Sequence, residues 1–249
     1  MPRRVVITGG GTGIGKATAA RFVAQGCEVR IVGRRPEVLA QAAEQIRALG
    51  GSGTVLTHAG DMTEPDQVRG MVDSLDGQRV DVLVLNAGGS ADLPQTASLE
   101  EIRDHWFTLL SKNLLSAVLP TEALLPQLNN PGRIVAVSSI ASFTGNGAFH
   151  AYASAKGAMN TWVVGLARRL APTGITINAV APGYVPDTGF WVGRTPEFLA
   201  TQAARPIPVG RPGTPQDIAD AIAYFADENA GFVTGQTLNV SGGVVLARS

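Results

Sequence analysis

Val5-Val6-Ile7-Thr8-Gly9-Gly10-Gly11-Thr12-Gly13-Ile14-Gly15-Lys16 decides how the rest of the sequence is read. Its first four residues are an unbroken β-branched run without polar alternation, the mark of a strand buried on both faces. The glycines that follow let the backbone turn sharply and come close to a phosphate group. A helix predicted from Ile14 to Gln25 brings free N–H groups and the positive end of its dipole to the same point. The common G-x-G-x-x-G frame fails, because counting from Gly9 brings Ile14 to the last position. G-x-x-x-G-x-G fits, through Gly9, Gly13 and Gly15. A P-loop is the rival, since Gly10, Gly15 and Lys16 match G-x-x-x-x-G-K. In that frame Ala17 stands where a hydroxyl would ligate Mg²⁺, and the strand Val82–Leu85 runs into Asn86 rather than Asp. The loop reads as dinucleotide-binding.

The same strand-to-helix alternation repeats outward from this stretch. Further strands are predicted at Glu28–Val32, Thr54–His58, Val82–Leu85, Arg133–Val137, Ile175–Val180 and Thr237–Val240. Helices are predicted at Glu37–Leu49, near Pro65–Leu75, at Arg103–Leu128 (kinked at Pro120) and at Ala151–Ala171. Right-handed crossovers then give an α/β fold, a three-layer, doubly wound, Rossmann-like parallel sheet of about seven strands. No repeat, low-complexity tract or linker divides the sequence, so residues 1–249 are expected to form a single dinucleotide-binding domain.

Composition narrows the function classes. Hydrophobic residues make up 45% of the 249 and charged residues only 16%, enough apolar material for a large core, which excludes disorder. Lys+Arg 20 balances Asp+Glu 20, which removes the diffuse attraction that a nucleic-acid partner needs. The apolar run ending at Thr8 is too short for a signal peptide, and none is long enough to span a membrane. Cys27 has no second cysteine to pair with, which suits a reducing cytoplasm. His58 and His105 have no partners at metal-ligand spacing, so no catalytic metal is expected. Between Arg103 and Leu128 only Arg103, Asp104, Lys112 and Glu122 carry charge, and between Ala151 and Ala171 only Lys156, Arg168 and Arg169. Helices so apolar around their circumference expect a second subunit, hence a homo-oligomer, a tetramer or a dimer.

Two further sites carry chemistry. Where the second strand ends, a fold that selects NAD usually places an acid for the ribose 2′-OH. Here Gly33 occupies that place and Arg34 and Arg35 follow, which suits the 2′-phosphate of NADP(H). Ser139 lies just past the fifth strand, at the carboxyl edge where such sheets bind ligands. Tyr152 and Lys156 stand at i and i+4 at the start of a helix, so phenol and ammonium share one face. A cation beside the phenol is expected to lower its pKa and make it a general acid/base.

These residues together resemble the short-chain dehydrogenase/reductase family over essentially the full length. Thr8 to Gly15, with Gly11, Thr12 and Ile14 inside it, is similar to that family's cofactor loop, and Asn86-Ala87-Gly88 to its motif after the fourth strand. Asp61, followed by Met62, resembles the adenine contact. Pro182-Gly183 resembles the turn beside the nicotinamide, Val185 falls in the same stretch, and Thr188 matches the residue that binds the carboxamide. Asn113, Ser139, Tyr152 and Lys156 match the catalytic tetrad. The resemblance implies hydride transfer between the nicotinamide and a carbonyl or alcohol carbon. In that scheme Tyr152 protonates the developing alkoxide and Ser139 donates to the same oxygen. Lys156 holds the nicotinamide ribose, and Asn113 positions a water of the proton relay.

Residues 184–212 are implied to form a lid over the substrate. Tyr184, Phe190, Trp191, Ser139 and His150 are its candidate substrate contacts. The pattern most resembles the 3-oxoacyl-[acyl-carrier-protein] reductase and ketoreductase branch, which implies a small-molecule or carrier-bound carbonyl substrate. Arg168, Arg169, Arg194 and Arg205 are candidates for docking an acidic carrier. The alternative function is a non-catalytic NADP(H)-binding sensor or assembly protein.

Overall fold

Alternation of side chains along buried strands puts Val5 and Ile7 on one face of the sheet and Val6 on the other. The computed structural model describes residues 2–94, 96–145, 149–186 and 188–246. The strands are β1 (Arg4–Thr8), β2 (Glu28–Gly33), β3 (Thr54–Ala59), β4 (Val80–Leu85), β5 (Leu128–Val137), β6 (Thr176–Pro182) and β7 (Thr237–Val240). They form one seven-stranded sheet in the order β3-β2-β1-β4-β5-β6-β7, and every pairing is parallel. The chain winds outward from β1 in one direction, then returns to β4 and winds in the other. The crevice beyond the carboxyl ends of β1 and β4 is therefore the switch point of a Rossmann-like sheet.

In chain order the helices are α1 (Gly13–Ala24), α2 (Pro36–Ala48), α3 (Pro65–Asp73), α4 (Leu99–Leu110), α5 (Ser116–Leu124), α6 (Ala141–Thr144), α7 (His150–Leu170), α8 (Pro196–Ala203) and α9 (Pro215–Ala226). Phe22 and Val23 of α1, Leu39 and Ile46 of α2 and Ile218 and Ile222 of α9 cover one face of the sheet. Met71 of α3, Leu124 of α5 and Met159, Val163 and Leu166 of α7 cover the other. The result is a single three-layer α/β domain.

Three expectations need correction. The predicted helix Arg103–Leu128 starts earlier, because Ser98 and Glu101 form a capping box ahead of Leu99. It leaves α geometry not at Pro120 but at a π-helical turn, Ser111–Leu115, and ends in a 3₁₀ turn, Leu125–Gln127. Leu128, expected to end that helix, begins β5. The sequence reading also passed over α9, although Thr214 and Asp217 form a second capping box at its start.

Candidate active site

Thr8, the last residue of β1, ties the switch point together. Its hydroxyl oxygen accepts the main-chain N–H groups of Asn86 and Ala87, each at 3.1 Å. Asn86 Nδ2 in turn donates to the Gly9 carbonyl at 2.9 Å. The glycine turn and the loop after β4 thus hold one another from opposite sides of the crevice. A Cβ at Gly15 would lie 2.2 Å from the Gly9 carbonyl oxygen, so the turn closes only because Gly15 has no side chain.

Above this turn opens a cavity of about 1050 Å³. Gly9, Gly11, Thr12, Gly13 and Ile14 form its floor, with Asn86, Ala87 and Gly88 alongside. At the end served by β2 and β3 it is lined by Arg34, Arg35, Asp61 and Met62, and Arg34 Nη1 stands 4.0 Å from Asp61 Oδ2. At the other end it is lined by Ser139, Tyr152, Lys156, Pro182, Gly183, Tyr184, Val185, Thr188, Phe190 and Trp191. Among the described residues the lining carries Arg34, Arg35, Lys112, Lys156 and Arg205 against a single carboxylate, Asp61. The lining is thus locally basic although the chain carries no net charge.

The end that holds Ser139, Tyr152 and Lys156 is built from β5 and α7. Lys156 Nζ donates to the Val137 carbonyl at 2.7 Å and lies 5.9 Å from the centre of the Tyr152 ring. Ser138 donates to Asn160 Oδ1 at 2.6 Å, Asn160 to the Ser142 hydroxyl at 2.9 Å, and Ser142 to the Ser139 carbonyl at 2.6 Å. Asn160 stands one helical turn beyond Lys156, so α7 presents three polar side chains, Tyr152, Lys156 and Asn160, on one face and uses the third to brace the Ser139 loop. Sequence reasoning missed Ser138, Ser142 and Asn160, although i+4 spacing from Lys156 was a visible signal.

The electrostatics differ from the expectation. Burial pushes the Tyr152 phenol up to about 12, and a hydrogen bond with the Ser139 hydroxyl works in the opposite direction. The ammonium of Lys156 does not offset this, because its own burial pushes it down to about 7. Taking either charge out of water costs more than the neighbour returns.

Three expectations of geometry also shift. Gly15 packs beneath the turn rather than lining the cavity, and Asn113 lies in the wall. The π-helical turn buries Asn113 completely, with Nδ2 donating to the Leu109 and Gly89 carbonyls at 3.0 and 2.8 Å and Oδ1 accepting from Gly89 N at 2.9 Å. Its side chain thereby ties the helix to the loop after β4. His150 is turned away, packing on Trp106 and lining a separate pocket of about 310 Å³ with His105 and Asp92. Lys112, next to Asn113 in sequence, lines the main cavity and was also passed over. Burial and the charge of Arg34 both push its pKa down.

Residues 184–212 cross the cavity. A Cβ at Gly13 would meet Thr188 at 3.2 Å, so this segment rests on the glycine turn. Phe190 packs against Tyr152 at 5.1 Å between ring centres and against Trp191 at 4.8 Å, while Phe198 packs edge-on to Phe149 at 5.8 Å. Each such pair contributes about 1 kcal/mol beyond its buried area. Arg194 pairs with Asp92, donates to Ser90 Oγ at 2.7 Å and stacks over Phe149 at 5.0 Å. It clasps the segment to the loop after β4 and is not free to dock a carrier. Arg169 pairs with Glu122 at 2.6 Å, and both side chains remain exposed to solvent.

The family model described as "Enoyl-(Acyl carrier protein) reductase" matches residues 9–245. The chain belongs to the short-chain dehydrogenase/reductase family. It is 36% identical to the uncharacterized oxidoreductase YmfI of Bacillus subtilis, over 98% of this chain and 99% of that one. A short-chain type dehydrogenase/reductase from Mycobacterium ulcerans superposes with a TM-score of 0.87 at 31% identity, covering 97% and 89% of the two chains. A 3-oxoacyl-[acyl-carrier protein] reductase from Brucella melitensis, solved with bound NAD, superposes with a TM-score of 0.85 at 32% identity, covering 98% and 92%. As a short-chain dehydrogenase/reductase, this chain is an oxidoreductase with a 3-oxoacyl-reductase-like fold and sequence. Among the described residues no group of three or more His, Cys, Asp or Glu side chains could hold a metal, and no helix is long and apolar enough to cross a membrane.

Proposed function

We propose that this chain is an NADPH-dependent ketoreductase that converts a hydrophobic or 3-oxoacyl-type ketone to a secondary alcohol. The observation that carries the reading is the meeting of Ser139, Tyr152 and Lys156 at the aromatic end of one cation-rich cavity. The residues present fit a dinucleotide phosphate: the floor is side-chain-free glycine backbone at a helix N-terminus, and the lining cations outnumber Asp61. A nicotinamide dinucleotide, when bound, supplies the hydride.

The residues around it have separate tasks. Gly9, Gly11, Thr12 and Gly13 would receive the pyrophosphate, Asp61 and Met62 the adenine, and Arg34 and Arg35 a 2′-phosphate. Val185 and Thr188 would meet the carboxamide, and Lys156 the nicotinamide ribose. Tyr152 holds its proton at neutral pH and delivers it to the carbonyl oxygen, while Ser139 donates a hydrogen bond to that same oxygen. Asn113 serves the relay by fixing Gly88 and Gly89 beside Lys156. Residues 184–212 would act as the lid, with Phe190 and Trp191 favouring an apolar substrate. The free, buried thiol of Cys27 suits a cytoplasmic setting. The test is consumption of NADPH with a panel of ketones and acyl thioesters: turnover of at least one is expected, and none would overturn the reading.

An oligomer belongs to the same proposal. Phe107 and Leu115 are exposed along the α4–α5 helix and Val164 on α7, where Ser154, Thr161 and Gly165 leave a flat outer face. Light scattering at micromolar concentration should give a dimer or tetramer, and a monomer would reject it.

A further inference from the structure

Gln202 is the one buried residue of α8, only 8% exposed, and its side chain has no hydrogen-bond partner among the described residues. It also lines the main cavity, beside Arg205 and Ile207. Its amide oxygen and nitrogen are not sealed off but keep access to the cavity, where an apolar side chain would have filled the place without offering a hydrogen bond. Phe198, one helical turn earlier on the same face, does just that.

The rings fix where Gln202 stands relative to the chemistry. Tyr152 touches Phe190, Phe190 touches Trp191 at 4.8 Å, and Trp191 reaches Phe198 at 6.4 Å between centres. One helical turn beyond Phe198 comes Gln202. The cavity therefore offers a proton donor at one point, a stretch of aromatic wall, and then an amide with free N–H groups. We infer that Gln202 is a specificity-determining residue, and that the substrate is a ketone carrying a second carbonyl acceptor, of the ester, thioester or amide type, which Gln202 Nε2 receives. Arg205, lining the cavity three residues further on, adds a cation on the side where such a group would continue.

The inference rests on the ketoreductase reading, and the experiment separates the two. NADPH-loaded wild type and Gln202→Leu are compared on a 3-oxoacyl N-acetylcysteamine thioester and on the 2-alkanone of matching length. Gln202→Leu should lower kcat/KM about tenfold on the thioester and less than about twofold on the alkanone. Equal losses on both, or no loss on either, would overturn the inference. Gln202→Met repeats the comparison should Gln202→Leu fail to fold. If wild type turns over neither compound, calorimetric titration of the thioester into the same proteins decides. Binding weakened about tenfold in Gln202→Leu keeps the site while the reaction reading falls, and unchanged or absent binding ends both.

Discussion

Tyr152→Phe is expected to lower ketone reduction by about a thousandfold, while NADPH affinity stays within about threefold. A thousandfold loss corresponds to about 4 kcal/mol of transition-state stabilisation, the proton transfer and its aligned hydrogen bond together. Only the hydroxyl is removed; the ring keeps its packing against Phe190, so binding and folding have no reason to change. A non-catalytic dinucleotide binder would show no activity to lose. The pKa of the phenol supplies a second check. Because burial holds Tyr152 at about 12, it stays protonated throughout the neutral range and well into alkali. Phenolate absorbance of the cofactor-free protein, wild type minus Tyr152→Phe, should show no ionisation of this group below about pH 10. Titration below about pH 9 would mean that Lys156 governs the phenol after all.

Arg34→Ala combined with Arg35→Ala is expected to weaken NADPH binding about a hundredfold and NADH binding less than about threefold. Charge-assisted bonds from guanidinium to a phosphate dianion account for a loss of that size, about 2.7 kcal/mol. The ribose hydroxyl of NADH offers those groups no charge. Asp61, 4.0 Å from Arg34, remains in both proteins and so does not confuse the comparison. Equal losses for the two dinucleotides, measured by fluorescence titration, would defeat the assignment.

Much of this site was legible before any coordinates. Strand runs such as Val82–Leu85 carry their burial in their composition, and the glycine turn carries its geometry in the absence of side chains. Tyr152 and Lys156 were legible because helical spacing converts sequence distance directly into a shared face. What escaped depended on three-dimensional company. The sign of the Tyr152 shift turned on how deeply the phenol itself is buried. The π-helical turn that swings Asn113 into the wall leaves no local signature in Ser111–Leu115, because one displaced backbone bond is decided by packing against the Gly89 loop. Arg194 looked like a surface cation, and only the folded segment shows it lying over Phe149. Gln202 looked like one more polar residue of a short helix.

The hydrogen-bond chain Ser138–Asn160–Ser142–Ser139 and the bond from Lys156 to Val137 anchor the reacting groups to the sheet's edge and to one helix. The aromatic wall and Gln202 hang instead from a segment held chiefly by Arg194, Thr188 and ring contacts. In the proposed scheme, chemistry and recognition thus reside in parts with separate supports. On the reading proposed above, substitutions at Phe190, Trp191 and Gln202 would change which substrates are accepted while leaving the supports of Ser139, Tyr152 and Lys156 in place.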